Sequence, residues 1–99
     1  MFEIRLEEDG RIALSGRLDA AQCGKAQAFL DGIEKPRVVD MADLDYISSA
    51  GLGVLLRTQK RLMASGSGLK MVNVNSHIGD IFRFSGFDQI FEIQRAPDA

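Results

Sequence analysis

Phe2, Ile4 and Leu6 alternate with charged residues, and Ile12, Leu14 and Leu18 alternate with polar or small ones. A period of two predicts strands over about residues 2–7 and 11–16. Asp9-Gly10 lies between them and favours the positive φ of a tight turn, so the pair reads as an antiparallel hairpin. The period then changes. Cys23, Ala26, Leu30 and Ile33 recur at spacings of three and four, which predicts an amphipathic helix with Asp19 as its cap and its end near Gly32. Pro36 opens a third strand, Arg37–Met41, followed by an acidic stretch, Met41–Asp45, read as extended chain leading through a loop into a second helix. From Leu52 the apolar residues fall at Leu55, Leu56, Leu62 and Met63, one face of that helix. Ser49 stands at its start as the cap, Lys60 and Arg61 lie near its negative end, and Ser65-Gly66-Ser67-Gly68 stops it. Leu69–Val74 reads as a fourth strand. Asn75 caps a third helix with Ile78, Ile81 and Phe82 inward, Gly86 stops it, Phe87 closes the stop, and Ile90–Ile93 makes a fifth strand.

The element order is ββαβαβαβ. Helices between parallel strands predict an α/β fold with a mixed sheet and helices packed on it, as one domain over 1–99 with 96–99 frayed. The chain has 99 residues, enough for one modest core. A net charge of −2, without a basic stripe, argues against direct nucleic-acid binding. No apolar run approaches a membrane span, and the single Cys23 fits a reducing compartment, so a cytoplasmic location is expected. Cys23 lies on the helix's apolar face and reads as a small core residue rather than a reactive thiol.

The candidate chemistry is sparse. His77 has no cysteine cluster or second histidine, so no metal site is expected. Ser49 is flanked by Ser48 and Ala50, without the Gly-x-Ser-x-Gly elbow of a hydrolase. Asp40, Asp43 and Asp45 read as carboxylates that solvate a loop and shape the field near the serines. A phosphoacceptor receiver would need a helix between its first two strands, where residues 7–11 leave no room. Gly51 and Gly53 are the anomaly, because each costs a helix roughly 1 kcal/mol relative to Ala. Either the helix start packs tightly on the preceding strand, or a partner's backbone must come close to the serines.

Taken together, these residues resemble a STAS domain, and most closely a stand-alone anti-sigma factor antagonist of bacterial partner-switching systems. Tyr46-Ile47-Ser48-Ser49-Ala50-Gly51-Leu52-Gly53-Val54-Leu55 is similar to the family's Tyr-(Ile/Met)-Asp-Ser-(Ser/Ala)-Gly-Leu-Gly-Val-Leu. Gly16-Arg17-Leu18-Asp19 is similar to its Gly-x-(Leu/Ile)-Asp, Val38-Val39-Asp40-Met41 to its third-strand segment, and Gly86-Phe87 fits as well. The resemblance implies a protein that is not an enzyme and needs no cofactor. It implies binding to an anti-sigma factor that is also a serine kinase, through Asp19, Ser48, Ser49, Ala50, Gly51, Leu52 and Gly53. It further implies release by phosphorylation on Ser49 and reversal by a PP2C-type phosphatase, regulating transcription by partner switching. Ser48 stands where the family most often has Asp, which places two adjacent hydroxyls at the site; Ser49 is the one aligned with the acceptor. The alternative is a STAS subunit that docks on a transporter ATPase or sensor complex without being phosphorylated.

Overall fold

The computed structural model describes residues 1–35, 37–66 and 68–97. Strands β1 (Phe2–Leu6) and β2 (Ile12–Leu18) form the antiparallel hairpin, with Leu6 opposite Ile12. The turn is closed by Gly10 N–H donating to Glu7 O at 3.0 Å, and Gly10 takes φ +91°. A single 3₁₀ turn (Ala20–Gln22) leads into helix α1 (Cys23–Asp31), which ends at Gly32. Then follow β3 (Val38–Ile47), α2 (Ser49–Met63), β4 (Lys70–Val74), α3 (Ser76–Phe84), a 3₁₀ turn (Phe87–Gln89) and β5 (Glu92–Arg95). The ββαβαβαβ order is the one expected.

The sheet order is β1-β2-β3-β4-β5, with β1 antiparallel to β2 and the remaining pairs parallel. Each crossover therefore steps in the same direction. Right-handed crossovers that step one way put their helices on one face. The core agrees: Phe2, Ile4, Ile12, Leu14, Val39, Met41 and Met71 from the strands form one cluster with Leu30, Val54, Leu55, Ile78 and Phe82 from the three helices. The other face is polar, with Glu3, Arg5, Arg17, Glu92 and Gln94 exposed.

Several boundaries differ from the sequence expectation. Strand β3 runs on through the acidic stretch to Ile47, where a loop was expected. Val39 and Met41 are buried at the strand's period of two, but Leu44 and Ile47 follow at spacings of three, which no regular strand could bury on one face. Two irregularities in the pairing with β2 resolve this: Ala13 and Ser15 face Asp40 and Asp43, and Gly16 and Arg17 face Leu44 and Tyr46. Each inserts one extra residue into β3, so a spacing of three returns to the same face. Asp40 supports the first bulge, accepting from Ala42 N–H at 3.0 Å and from Asn73 Nδ2 at 3.0 Å. The acidic residues thus belong to a strand, not to a loop. Strand β5 begins at Glu92, because Phe87–Gln89 forms the extra 3₁₀ turn and leaves Ile90 outside the strand, 40% exposed. The expected opening of the third strand by Pro36, the Ser67 part of the helix stop and the last two residues of the expected frayed tail lie outside the described residues.

Helix α2 is rotated relative to the expected face. Val54, Leu55 and Leu62 are buried, but so are Thr58 and Gln59, while Leu52 and Leu56 are only half-buried and Met63 is 49% exposed. The two polar residues are tolerated because they are satisfied. Thr58 Oγ1 donates to Val54 O at 3.1 Å. Gln59 accepts from Leu69 N–H at 2.6 Å and donates to Ile90 O at 3.1 Å, joining α2 to the entrances of β4 and β5. Helix α3 ends as expected. Gly86 takes φ +79° and Phe87 stacks on Phe82 with centroids 5.7 Å apart.

Candidate functional site

Strands β2 and β3 are parallel neighbours whose last residues, Leu18 and Ile47, face each other. The residues that follow, Asp19 and Ser48, are therefore side by side at the C-terminal edge of the sheet, where crevices form in α/β folds. Ser48 N–H donates to Leu18 O at 2.9 Å and extends the pairing by one step. From there the chain turns directly into α2.

Ser48, not Ser49, caps the helix. Its backbone is extended, at φ −88° and ψ 170°, and its Oγ accepts from Gly51 N–H at 3.1 Å while its carbonyl accepts from Leu52 N–H at 2.9 Å. Ser49 is consequently the first helical residue, and it is exposed together with Ala50. The sequence could not separate two adjacent serines by capping preference alone. A usable signal was the family's Asp at position 48, since Asp is among the strongest caps. Ser48 therefore keeps the capping function of that Asp without its charge.

The two glycines have different reasons. A Cβ on Gly51 would stand 2.9 Å from each of Leu18 Cγ, Ile47 Cγ1 and Leu18 O, so Gly51 lets the helix start close on β2 and β3. Gly51 is buried. A Cβ on Gly53 would meet nothing closer than Arg57 Nη1 at 3.6 Å. Close packing accounts for the first glycine, whereas the space over the second is open. Beside them Leu52 is half-buried and packs against the core.

Asp19 does not cap a helix with its side chain. Its carbonyl accepts from Gln22 N–H at 3.0 Å and from Cys23 Sγ at 3.3 Å, which ties down the 3₁₀ turn. One carboxylate oxygen, Oδ1, is buried with no hydrogen-bond partner among the described residues. Arg17 lies over the Tyr46 ring at 4.3 Å, on the polar face of the sheet. Asp43 and Asp45 are exposed along β3. A strand rises ~3.3 Å per residue, and with the bulge between Leu44 and Tyr46 removing one step, Asp45 lies roughly 8 Å and Asp43 roughly 13 Å from Ser48. Only Asp43 lies well beyond the ~8 Å screening length in physiological salt, so of the two carboxylates Asp45 is the one that bears on the field at the serines.

The structure thus brings Asp19, Ser48, Ser49, Ala50, Leu52 and Gly53 to one end of the sheet, with Gly51 beneath them. It offers an exposed hydroxyl on a capped helix start, with the amides of Ser49 and Ala50 as free donors of the first turn.

Comparison with known proteins places relatives over nearly the whole chain. The family model described as Mlab, STAS domain matches residues 3–94. BtrV of Bordetella bronchiseptica, named as a candidate anti-sigma factor antagonist, is 34% identical over 97 residues, covering 92% of this chain and 84% of BtrV. A STAS-domain containing protein of Pseudomonas aeruginosa is 31% identical over 88 residues, covering 83% of this chain and 84% of that protein. Among solved structures, the anti-sigma factor antagonist SpoIIAA in its unphosphorylated form superposes with a TM-score of 0.73 at 17% identity, covering 94% of this chain and 87% of SpoIIAA. SpoIIAA is also known in a phosphorylated form, as a Bacillus cell fate determinant, with a TM-score of 0.67 to this chain.

Proposed function

This chain belongs to the STAS domain family, and from that premise we propose that it is an anti-sigma factor antagonist, a binding protein that works by partner switching. In this reading residues 1–99 act as one STAS domain in the cytoplasm and carry no catalysis of their own. The unmodified protein binds an anti-sigma factor that is also a serine kinase, through the surface of Asp19, Ser48, Ser49, Ala50, Leu52 and Gly53, with Gly51 setting its height. The kinase transfers the γ-phosphoryl group of ATP to Ser49 Oγ, ADP leaves, and the hydroxyl proton passes to the kinase. A PP2C-type phosphatase returns the hydroxyl. The observation that carries the proposal is the exposed Ser49 on a helix start already capped by Ser48, set among the small residues Ala50, Gly51 and Gly53. Its hydroxyl has no structural duty to give up when modified.

The switch acts at the partner surface rather than on the fold. A phosphate adds about −1.5 to −2 charges at pH 7, which a helix N-terminus favours by roughly 0.3–1 kcal/mol. Against a surface shaped for a hydroxyl the same charge must be desolvated, and such burial readily costs several kcal/mol.

The test is capture of partners by unmodified protein, followed by incubation with ATP and site mapping by mass spectrometry. Phosphate on Ser49 and release of the partner are expected; phosphate on Ser48 or Thr58 overturns the assignment. The half-buried Leu52 beside open Gly53 also suits a second reading, constitutive docking on a transporter ATPase or sensor complex. Wild-type function from Ser49→Ala in cells, with no phosphate on the native protein, would favour that one.

A further inference from the structure

Ser49, Gly53 and Arg57 follow one another at spacings of four along α2, so they share one stripe of its surface. Helical side chains lean toward the N-terminus. Arg57 does so far enough that its Nη1 lies 3.6 Å from where a Cβ on Gly53 would be. A Cβ alone would fit there at ordinary contact distance, but a longer side chain would compete with the guanidinium for the same space.

The guanidinium is also held from the side. Arg57 Nε donates to Gln27 Oε1 on α1 at 3.0 Å. Gln27 is fixed in turn, because its Nε2 donates to Asp31 Oδ1 at 2.8 Å. The tether is a neutral amide, so it orients the cation without compensating its charge. Arg5, Arg11, Lys25, Lys70 and Arg95 each pair with a carboxylate, whereas Arg57 has no such pair among the described residues. Its tether uses Nε alone.

We propose that Arg57 is the internal receiver of a phosphate on Ser49, reaching across Gly53 to contact the phosphate oxygens when Ser49 is modified. The proposal rests on the assignment of Ser49 as phosphoacceptor and adds what becomes of the phosphate once it is there. From the Gly53 position, 3.6 Å from which the guanidinium lies, to Ser49 is roughly one helical turn, ~5.4 Å. A phosphate's own extension plus one charge-assisted hydrogen bond of ~2.8 Å spans that gap. The planar fork of arginine suits two phosphate oxygens at once. In the modified protein the phosphate would lie along α2, its charge partly answered within the domain. Gly53 is then the residue that keeps the path between cation and anion clear.

The test installs phosphoserine at position 49 by genetic encoding, so that no kinase is needed, and follows it by ³¹P NMR titration. The second phosphate ionisation, ordinarily near pH ~6, is expected about half a pH unit or more lower with Arg57 present than in Arg57→Gln, because a nearby cation favours the dianion. Lys60→Gln removes one charge from the same helix at greater distance and should move it by less than half as much. Arg57→Lys keeps the charge without the fork and should fall between wild type and Arg57→Gln. Equal titration in wild type and Arg57→Gln, or equal shifts in Arg57→Gln and Lys60→Gln, would overturn the role of Arg57. Failure of a kinase to modify Ser49 would sink the proposed function and leave this titration unaffected. Equal titration in wild type and Arg57→Gln alongside normal labelling would remove only Arg57.

Discussion

Helices α2 and α3 begin in nearly the same way and end up with different surroundings. Each follows a parallel strand, and each has an extended cap whose side chain accepts from the amide three residues on: Ser48 from Gly51 N–H at 3.1 Å, Asn75 from Ile78 N–H at 2.8 Å. Each then presents an exposed serine as its first helical residue, Ser49 and Ser76. Each also has a glycine within its first four residues. At Gly51 the missing side chain is replaced by Leu18 and Ile47 of the strands; at Gly79 it is replaced by the guanidinium of Arg95, whose Cζ would stand 2.7 Å from a Cβ there. The difference is what lies beyond. After Ser49 come Ala50, Leu52 and the open Gly53; after Ser76 comes a helix bound down by Asn75 Nδ2 donating to Leu44 O at 3.1 Å and by Arg95 reaching Asp80 at 3.4 Å. An exposed serine on a capped helix is common to both, so it cannot define the site. What sets Ser49 apart is the small surface of Ala50, Gly51 and Gly53 around it.

The largest effect should come from filling the glycines. Gly51→Leu forces a side chain into strand backbone and should cost about 3 kcal/mol or more, lowering the melting temperature by at least ~12 °C. Gly79→Ala only has to push aside the flexible end of Arg95 and gains roughly 1 kcal/mol of helix propensity, so its melting curve should stay close to wild type. Similar losses at both positions would mean that Arg95 is as rigid as the strands.

Next in size is the phosphate itself. On Ser49 it should weaken partner binding about a hundredfold, which corresponds to ~2.7 kcal/mol, whereas phosphoserine at Ser76 should leave the titration within about twofold. The sign with pH follows from the second phosphate ionisation, ordinarily near ~6 and lower with Arg57 beside it. The penalty is full above that pH, where the phosphate is a dianion, and shrinks as the pH falls through it. Amide exchange should show α2 still protected after modification. Wide loss of protection there would replace local charge with an order–disorder switch.

Removing the caps should cost less. Ser48→Ala is expected to lose about 1 kcal/mol and Ser48→Asp to restore it. Asn75→Ala should lose somewhat more, since it also frees the Leu44 carbonyl. Thermal melts check all three, and no loss in Ser48→Ala would mean that the helix start does not depend on its cap. The smallest effect belongs to Ser49→Ala. Its stability should stay within ~0.5 kcal/mol of wild type, while phosphate labelling by the kinase disappears and partner capture persists.

How much of this was legible in the sequence follows the range of the interactions involved. The hairpin at Asp9-Gly10, the Asn75 cap, the Gly86 stop and the order of strands and helices rest on contacts between near neighbours, and the sequence determined them. The stretch from Tyr46 to Leu55 likewise carried the family resemblance and nominated the candidate site before any geometry. The tertiary structure decided the rest. Met41, Leu44 and Ile47 break the period of a strand, and only pairing with β2 supplies the bulges that return them to the core. Thr58 and Gln59 look like surface residues until Val54 O, Leu69 N–H and Ile90 O are brought against them. Ser48 and Ser49 are chemically identical, and it was Ser48 N–H meeting Leu18 O that fixed where the strand ends and the helix begins. Gly51 and Gly53 are likewise the same residue in the same turn. One lies against a strand carbonyl and the other has room for a Cβ beside the flexible end of Arg57, because side-chain periodicity records only which face is buried, whereas room for a Cβ at Gly51 depends on a strand some thirty residues earlier in the chain.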